Sequence, residues 1–311
     1  SLEFSSGPVA IAFSGGLDTS VIRWSIGKET AEQVLRFHAG GVTSLAALPD
    51  GWALSGGEDG KIALWKPGET RPATVLDGHT GPISALAIAE GIGGIASASW
   101  DGTTRVWIGS GILSNQPQIF EGHKGNVNGV AFGPTQTTLI TAGYDATLRI
   151  TPLTGGAPTI VKLPTPLNAL RVAFDGEIIA GGADGKVYLR NGDGSERLTV
   201  EVQEMPITSL ALSADSTLIA AAGLRGAVTI ISRETGKVVS TLVGPGLPVW
   251  SLAFHPDGKL LLTGGADRVI RKWDVATGQP LAPANAPKPD FSAAAMNERG
   301  AQVFRACEAC H

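Results

Sequence analysis

Ser251-Leu252-Ala253-Phe254 leads through His255-Pro256-Asp257-Gly258 into Leu260-Leu261-Leu262-Thr263, then Gly264-Gly265-Ala266-Asp267, then Val269-Ile270-Arg271-Lys272-Trp273-Asp274. Three short apolar runs are separated by two turn signals of the Asp-Gly and Gly-Gly kind, which supply the positive φ that tight hairpins need. That reads as a strand-turn-strand-turn-strand unit. The same unit recurs along the chain. Its turn position is held by Asp18, Asp59, Asp101, Asp145, Asp184, Arg225 and Asp267, at successive spacings of 41, 42, 44, 39, 41 and 42 residues. A period near forty with short strands predicts an all-β ring of seven blades, each of four strands.

Composition agrees with this reading. The chain of 311 residues has 42 Gly and 19 Pro, is 43% hydrophobic and only 17% charged, which suits many short strands joined by tight turns. A formal charge of -4 and the lack of a Lys/Arg cluster interleaved with aromatics argue against a nucleic-acid partner. No run reaches the roughly 18 apolar residues of a membrane helix, and the N-terminus lacks the order of a signal peptide. A leader is therefore expected to be removed or to lie upstream.

Six residues after the turn position stand Trp24, Trp65, Trp107 and Trp273, whereas units four, five and six place Thr151, Arg190 and Ile231 there. Those three blades are degenerate. Through Trp273-Asp274, Gly78-His79 and Gly122-His123 the chain resembles the WD-repeat family over about residues 1–286. That resemblance implies a hydrogen-bonded network of His, Ser or Thr, Asp and Trp in each complete blade. His79, Ser97, Asp101 and Trp107 match the full set, and His38, Ser55, Asp59 and Trp65 match a second, although Phe37 rather than Gly precedes His38. Mutual satisfaction of buried polar groups gives these residues a structural role rather than a catalytic one.

Ser1-Leu2-Glu3-Phe4 aligns with Ser251-Leu252-Ala253-Phe254, so the chain starts on the innermost strand of blade 1. The outer strand of blade 7 must then come from residues 278–284, with Pro280 and Pro283 tolerated on an edge, and weak ring closure is expected. Ser14-Gly15-Gly16-Leu17-Asp18-Thr19-Ser20 resembles the pyrophosphate loop of argininosuccinate synthase, but that loop must open a helix, whereas Val21-Ile22-Arg23-Trp24 continues as a strand. His255 reads as a loop residue. Trp52, Trp100 and Trp250 fall near strand ends, where a partner-binding rim and packing between blades are equally good readings.

The composition changes after the last blade. Residues 287–292 read as a linker, and 293–311 as a helix free of proline that runs into Cys307-Glu308-Ala309-Cys310-His311. In C-x-x-C-H both thiols add to the haem vinyl groups and the imidazole reaches the iron. A thioredoxin-type pair needs a strand before and a helix after it, and a zinc site needs more ligands. Gly300 to Cys307 resembles the first helix of class I c-type cytochromes, so the chain looks like bacterial WD-repeat and cytochrome c fusions, truncated at the haem-binding motif. The resemblance implies haem c held by Cys307 and Cys310 with His311 as axial ligand. The distal ligand is expected beyond His311, since neither Met205 nor Met296 is suitably placed.

Three functions follow from these parts. The first is periplasmic electron transfer, with the propeller docking a protein redox partner of basic character. The second is a binding module for an assembly partner without a redox role. The third, an enzyme in the propeller channel, has no converging His, Tyr or acidic cluster in its favour.

Overall fold

The computed structural model describes residues 1–5, 11–48, 51–109 and 116–281. The described strands form seven four-stranded antiparallel sheets, so the chain is an all-β, seven-bladed propeller, with Ser1–Pro280 forming one compact unit. Blade 1 runs inward to outward through Leu2–Phe4, Ile11–Gly15, Ser20–Ser25 and Thr30–Arg36, and blade 7 through Val249–Phe254, Leu260–Gly265, Ile270–Asp274 and Pro280–Leu281. Each draws its four strands from one contiguous segment. The stretch Ser14 to Ser20 is a hairpin between two strands of blade 1, with no helix after Asp18. The expected linker, cytochrome helix, Cys307, Cys310 and His311 lie outside the described residues.

Every blade buries its two faces against its neighbours, and the core is accordingly divided. Seven hydrophobic clusters lie one between each successive pair, from Phe13, Val21, Leu45 and Trp65 between blades 1 and 2 to Val228, Ile230, Leu252 and Trp273 between blades 6 and 7. Among the described residues the cluster that closes the ring is the smallest, with five buried residues, Leu2, Phe4, Ala12, Ala253 and Leu262, against twelve between blades 6 and 7. Polar contacts supplement it. Leu2 N–H donates to Ser251 Oγ at 2.7 Å, Lys272 pairs with Glu29, and the Phe4 and His255 rings meet edge to face at 5.1 Å. His255 therefore does more than occupy a loop: it helps hold blade 7 to blade 1.

A second device ties the other blades together near the axis. The second residue of the innermost strand donates a side-chain hydrogen bond to the first carbonyl of the next blade's innermost strand. The pairs are Thr43 with Ile83, Ser84 with Val127, Asn128 with Leu167 (2.9 Å), Asn168 with Ile207 (3.0 Å) and Thr208 with Val249. Five consecutive interfaces are latched in this way. The series stops at blade 7, where the corresponding residue is Trp250.

The turn between the second and third strands explains the repeated Asp. Its carboxylate accepts the N–H two residues on in six blades, at Ser20, Lys61, Thr103, Thr147, Lys186 and Val269, a local Asx closure. The residue after it takes positive φ in all seven: Thr19 (69°), Gly60, Gly102, Ala146 (60°), Gly185, Gly226 and Arg268. Four blades use glycine there and three pay a steric cost, since the left-handed region brings Cβ against the following carbonyl. Thr19→Gly and Ala146→Gly are predicted to raise stability by about 1 kcal/mol each, Thr19→Gly more because Thr is β-branched; urea denaturation midpoints check this.

Candidate functional site

Three buried networks stand at the same end of the ring. In blade 3, Trp107 Nε1–H donates to Ser97 Oγ at 3.0 Å, and Ser97 Oγ lies 2.8 Å from His79 Nε2. Trp can only donate, so Ser97 accepts from it and gives its own proton to Nε2. The neutral imidazole then carries its proton on Nδ1 and donates to Asp101 at 2.8 Å. Asp101 also accepts the N–H of Thr80 and the N–H and hydroxyl of Thr103. Blade 2 repeats the arrangement with His38, Ser55, Asp59 and Trp65, at 2.8 Å from Ser55 to both His38 and Trp65 and 3.0 Å from His38 to Asp59.

Blade 4 holds a third network that the Trp position had hidden. His123 bridges Thr141 Oγ1 (2.8 Å) and Asp145 (3.0 Å), while Thr151 stands where the Trp would be. Gly122-His123 and Asp145 were the available signals. Tyr188 hydroxyl donates to Asp184 in blade 5 at 2.6 Å, so the turn Asp keeps a partner where no His precedes the blade.

The residue before each His is coupled to the third strand. Gly78 (φ 143°) and Gly122 (φ 126°) sit directly under the guanidinium groups of Arg105 and Arg149, and Arg149 donates to Gly122 O. Blade 2 has Phe37 before its His and Ala63 at the position of those arginines. Bulk stands on one side or the other, never on both.

Burial lowers the basicity of His79, opposed by the hydrogen bond and charge of Asp101, and does the same to His123. Burial alone would raise the carboxyl of Asp101, but hydrogen bonds from Thr103, His79 and the Thr80 backbone hold it down at about 2. Asp145 is likewise held at about 2 against burial, by Lys124 N–H, His123 and Thr147. These groups are built to stay neutral His and ionised Asp. Among the described residues no three His, Cys, Asp or Glu side chains are grouped as metal ligands. Near the axis, Glu3 and Arg171 occupy the register held by Ala46, Ala87, Ala131, Ala211 and Ala253 in the other blades. Burial pushes the Glu3 carboxyl up to about 7, with Arg171 pulling it down.

What the networks hold in place is the end of the ring above them. The residue just before the turn Asp donates its backbone N–H to the loop entering the innermost strand: Glu58 to Gly41, Trp100 to Pro82, Tyr144 to Asn126, Ala183 to Pro166, Ala266 to Pro248. Its side chain is thereby left outward. Leu17 is 81% exposed, Tyr144 59% and Trp100 52%, and Trp250, at the start of its innermost strand on this same end, is 52% exposed. Of the three Trp placed near strand ends, Trp100 and Trp250 thus lie on one rim, while Trp52 follows the hairpin at the far end of blade 2 and is only half-buried.

Four segments, 29–66, 70–107, 114–151 and 236–274, match the WD domain, G-beta repeat; the matches leave out 152–235, which contains Arg190 and Ile231 in the Trp position. The chain is 30% identical over 168 residues to WD repeat-containing protein SL1-17 of Schistosoma mansoni, covering 53% of this chain and 56% of that protein. It is 30% identical over 193 residues to WD repeat-containing protein 37 of Homo sapiens, 58% and 36%, and 26% identical over 161 residues to Pre-mRNA-processing factor 19 of Caenorhabditis elegans, 51% and 25%. The matched region spans little more than half of the first relative and less of the others. This chain therefore carries WD repeats and is similar to proteins named for them.

Ser97→Ala leaves the Trp107 N–H and His79 Nε2 buried without partners and is predicted to cost about 1–3 kcal/mol, measured by urea denaturation. Stability is also predicted to fall in two steps on acidification. The unfolded chain takes up protons on His79 and His123 from about 6.5 downward while the folded chain resists, and on Asp101 and Asp145 from about 3.8 toward about 2. Melting temperature against pH between 3 and 8 checks both.

Proposed function

We propose that this protein is a protein-interaction scaffold, and that the rim bearing Leu17, Trp100, Tyr144 and Trp250 is where its partner docks. The observation that carries this reading is the exposure of these four side chains on one rim, with Trp100 and Tyr144 on backbone bonded to the loop entering the blade. Large apolar groups kept in water on a fixed frame are the usual anchors of an interface, since their ordering cost is already met. The remaining turn positions on the rim carry Glu58, Ala183, the half-buried Leu224 and Ala266, so the strongly exposed apolar groups at these positions lie on blades 1, 3 and 4, with Trp250 on blade 7. The relatives named as WD repeat proteins support a repeat scaffold without naming a partner.

A second role rests on Cys307-Glu308-Ala309-Cys310-His311. Haem bound there would supply one-electron transfer, with Cys307 and Cys310 as the covalent attachments and His311 as the axial ligand. The propeller would then present the redox partner, and the location on that reading is the bacterial periplasm. Only the motif supports it. A sharp reduced c-type band with the added mass of one haem on the purified protein is its test, and their absence removes it.

The scaffold reading predicts that the Trp100→Ala/Tyr144→Ala double variant keeps its melting temperature and loses at least tenfold in partner capture by proximity labelling. Phe174→Ala, at a still more exposed position on the opposite end, leaves capture unchanged. Equal loss from both variants, or from neither, overturns the rim assignment.

A further inference from the structure

Among the described residues, the outer edges of blades 1 to 6 end on a charged side chain with one exception. The last strand of a propeller blade leaves a row of backbone N–H and C=O groups unpaired, and such edges are kept from joining one another by charge, shortness or bulges. At the end of the outer strand, next to the start of the third strand, the first five blades carry Arg36, Asp77, Glu121, Lys162 and Glu201. In blade 1 Arg36 stands opposite Ser20, in blade 4 Lys162 opposite Thr147, and in blade 5 Glu201 opposite Lys186; Asp77 and Glu121 follow directly on the strands Thr74–Leu76 and Gln118–Phe120. Lys61 pairs with Asp77 and Lys186 with Glu201. Blade 6 places Val243 there, opposite Ala227, and it is 76% exposed.

The bulge position repeats the contrast. In blades 1, 5 and 6 one residue of the outer strand is skipped in the ladder: Glu32, Arg197 and Val239. Glu32 pairs with Arg23 at 3.6 Å and Arg197 pairs with Glu177, whereas Val239 is an exposed apolar side chain. Val238–Val243 is thus a six-residue outer strand with no charge along it, while the strands of comparable length, Thr30–Arg36 and Glu196–Glu201, contain two and three charged residues.

We infer that the outer edge of blade 6 is a self-association site, at which Ser240–Val243 pairs antiparallel with the same strand of a second copy of this chain. The occupant follows from the charge pattern. A two-fold pairing centred on Leu242 sets Leu242 opposite itself, Thr241 opposite Val243 in both directions and Ser240 opposite Gly244, and places Lys237 across from Leu247. No charge meets its like, and no ion pair is broken. At the matching position of blade 5 the same pairing would strip water from Glu201 and its Lys186 partner. A surface complementary to itself closes as a dimer and goes no further. The Val239 bulge confines the flat part to four residues, so the contact is small and the association weak and concentration-dependent.

Sedimentation velocity of the full chain from micromolar to near-millimolar concentration, with amide exchange over residues 238–243, tests this. The wild type is expected to form dimers as concentration rises, with slowing exchange at Ser240 to Val243. Val243→Glu, which restores the charge present in the first five blades at an exposed position, is expected to weaken dimerisation at least tenfold with an unchanged melting temperature. A chain that stays monomeric throughout, a Val243→Glu variant that dimerises like wild type, or exchange protection that is independent of concentration, as when another part of the same chain covers the edge, overturns the inference.

Discussion

Each blade of this ring has two apolar faces and cannot bury either alone. The four strands of blade 5, for instance, give Tyr188 to the cluster shared with blade 4 and Leu189 to the one shared with blade 6, because neighbouring residues of a strand point to opposite faces. Stability therefore resides in the interfaces between repeats, and a blade folded by itself would expose half its core on each side. Everything else described above serves to keep seven such wedges at the same tilt.

The polar groups do this at two radii. Near the axis, the side chains of Thr43, Ser84, Asn128, Asn168 and Thr208 fix the spacing of innermost strands by reaching a backbone carbonyl in the next blade. Farther out, the His-Ser-Asp-Trp sets lock the loop entering a blade to its second and third strands. Hydrogen bonds of this sort add little net energy but impose direction, which apolar packing does not. The result is an end of the ring whose loops are pinned by backbone bonds, so that Trp100 and Tyr144 project from fixed points.

How much of this the sequence discloses depends on how local each interaction is. The turn Asp closes a ring with an N–H only two residues on, so Asp59 or Asp267 announces its hairpin without reference to the rest of the chain; six such turns, with Arg225 placed by the spacing, make seven. Trp65 and Ser55 sit ten residues apart on paired strands and are nearly as readable. The latches are not: Asn128 and Asn168 look like ordinary polar interruptions in apolar strands, and their partners lie 39 residues away in another blade. The blade 4 network was obscured because Thr151 removes the most conspicuous member while leaving His123, Thr141 and Asp145 in place. Exposure at Trp100 and Trp250 was beyond reach for a related reason, since a rim aromatic and a core aromatic are the same letter. The chemistry at Cys307 to His311 is legible only as a spacing.

Blades 1 and 7 each complete their sheets from one contiguous stretch, and no strand crosses between them among the described residues. The circle is therefore fastened like a split washer rather than a chain link: its last joint shares no strand, is held by side chains and the Leu2 N–H bond to Ser251, and among the described residues is backed by the smallest of the seven cores. A ribosome can release six finished joints before the seventh is even possible, because the seventh needs the first strand and the last to meet.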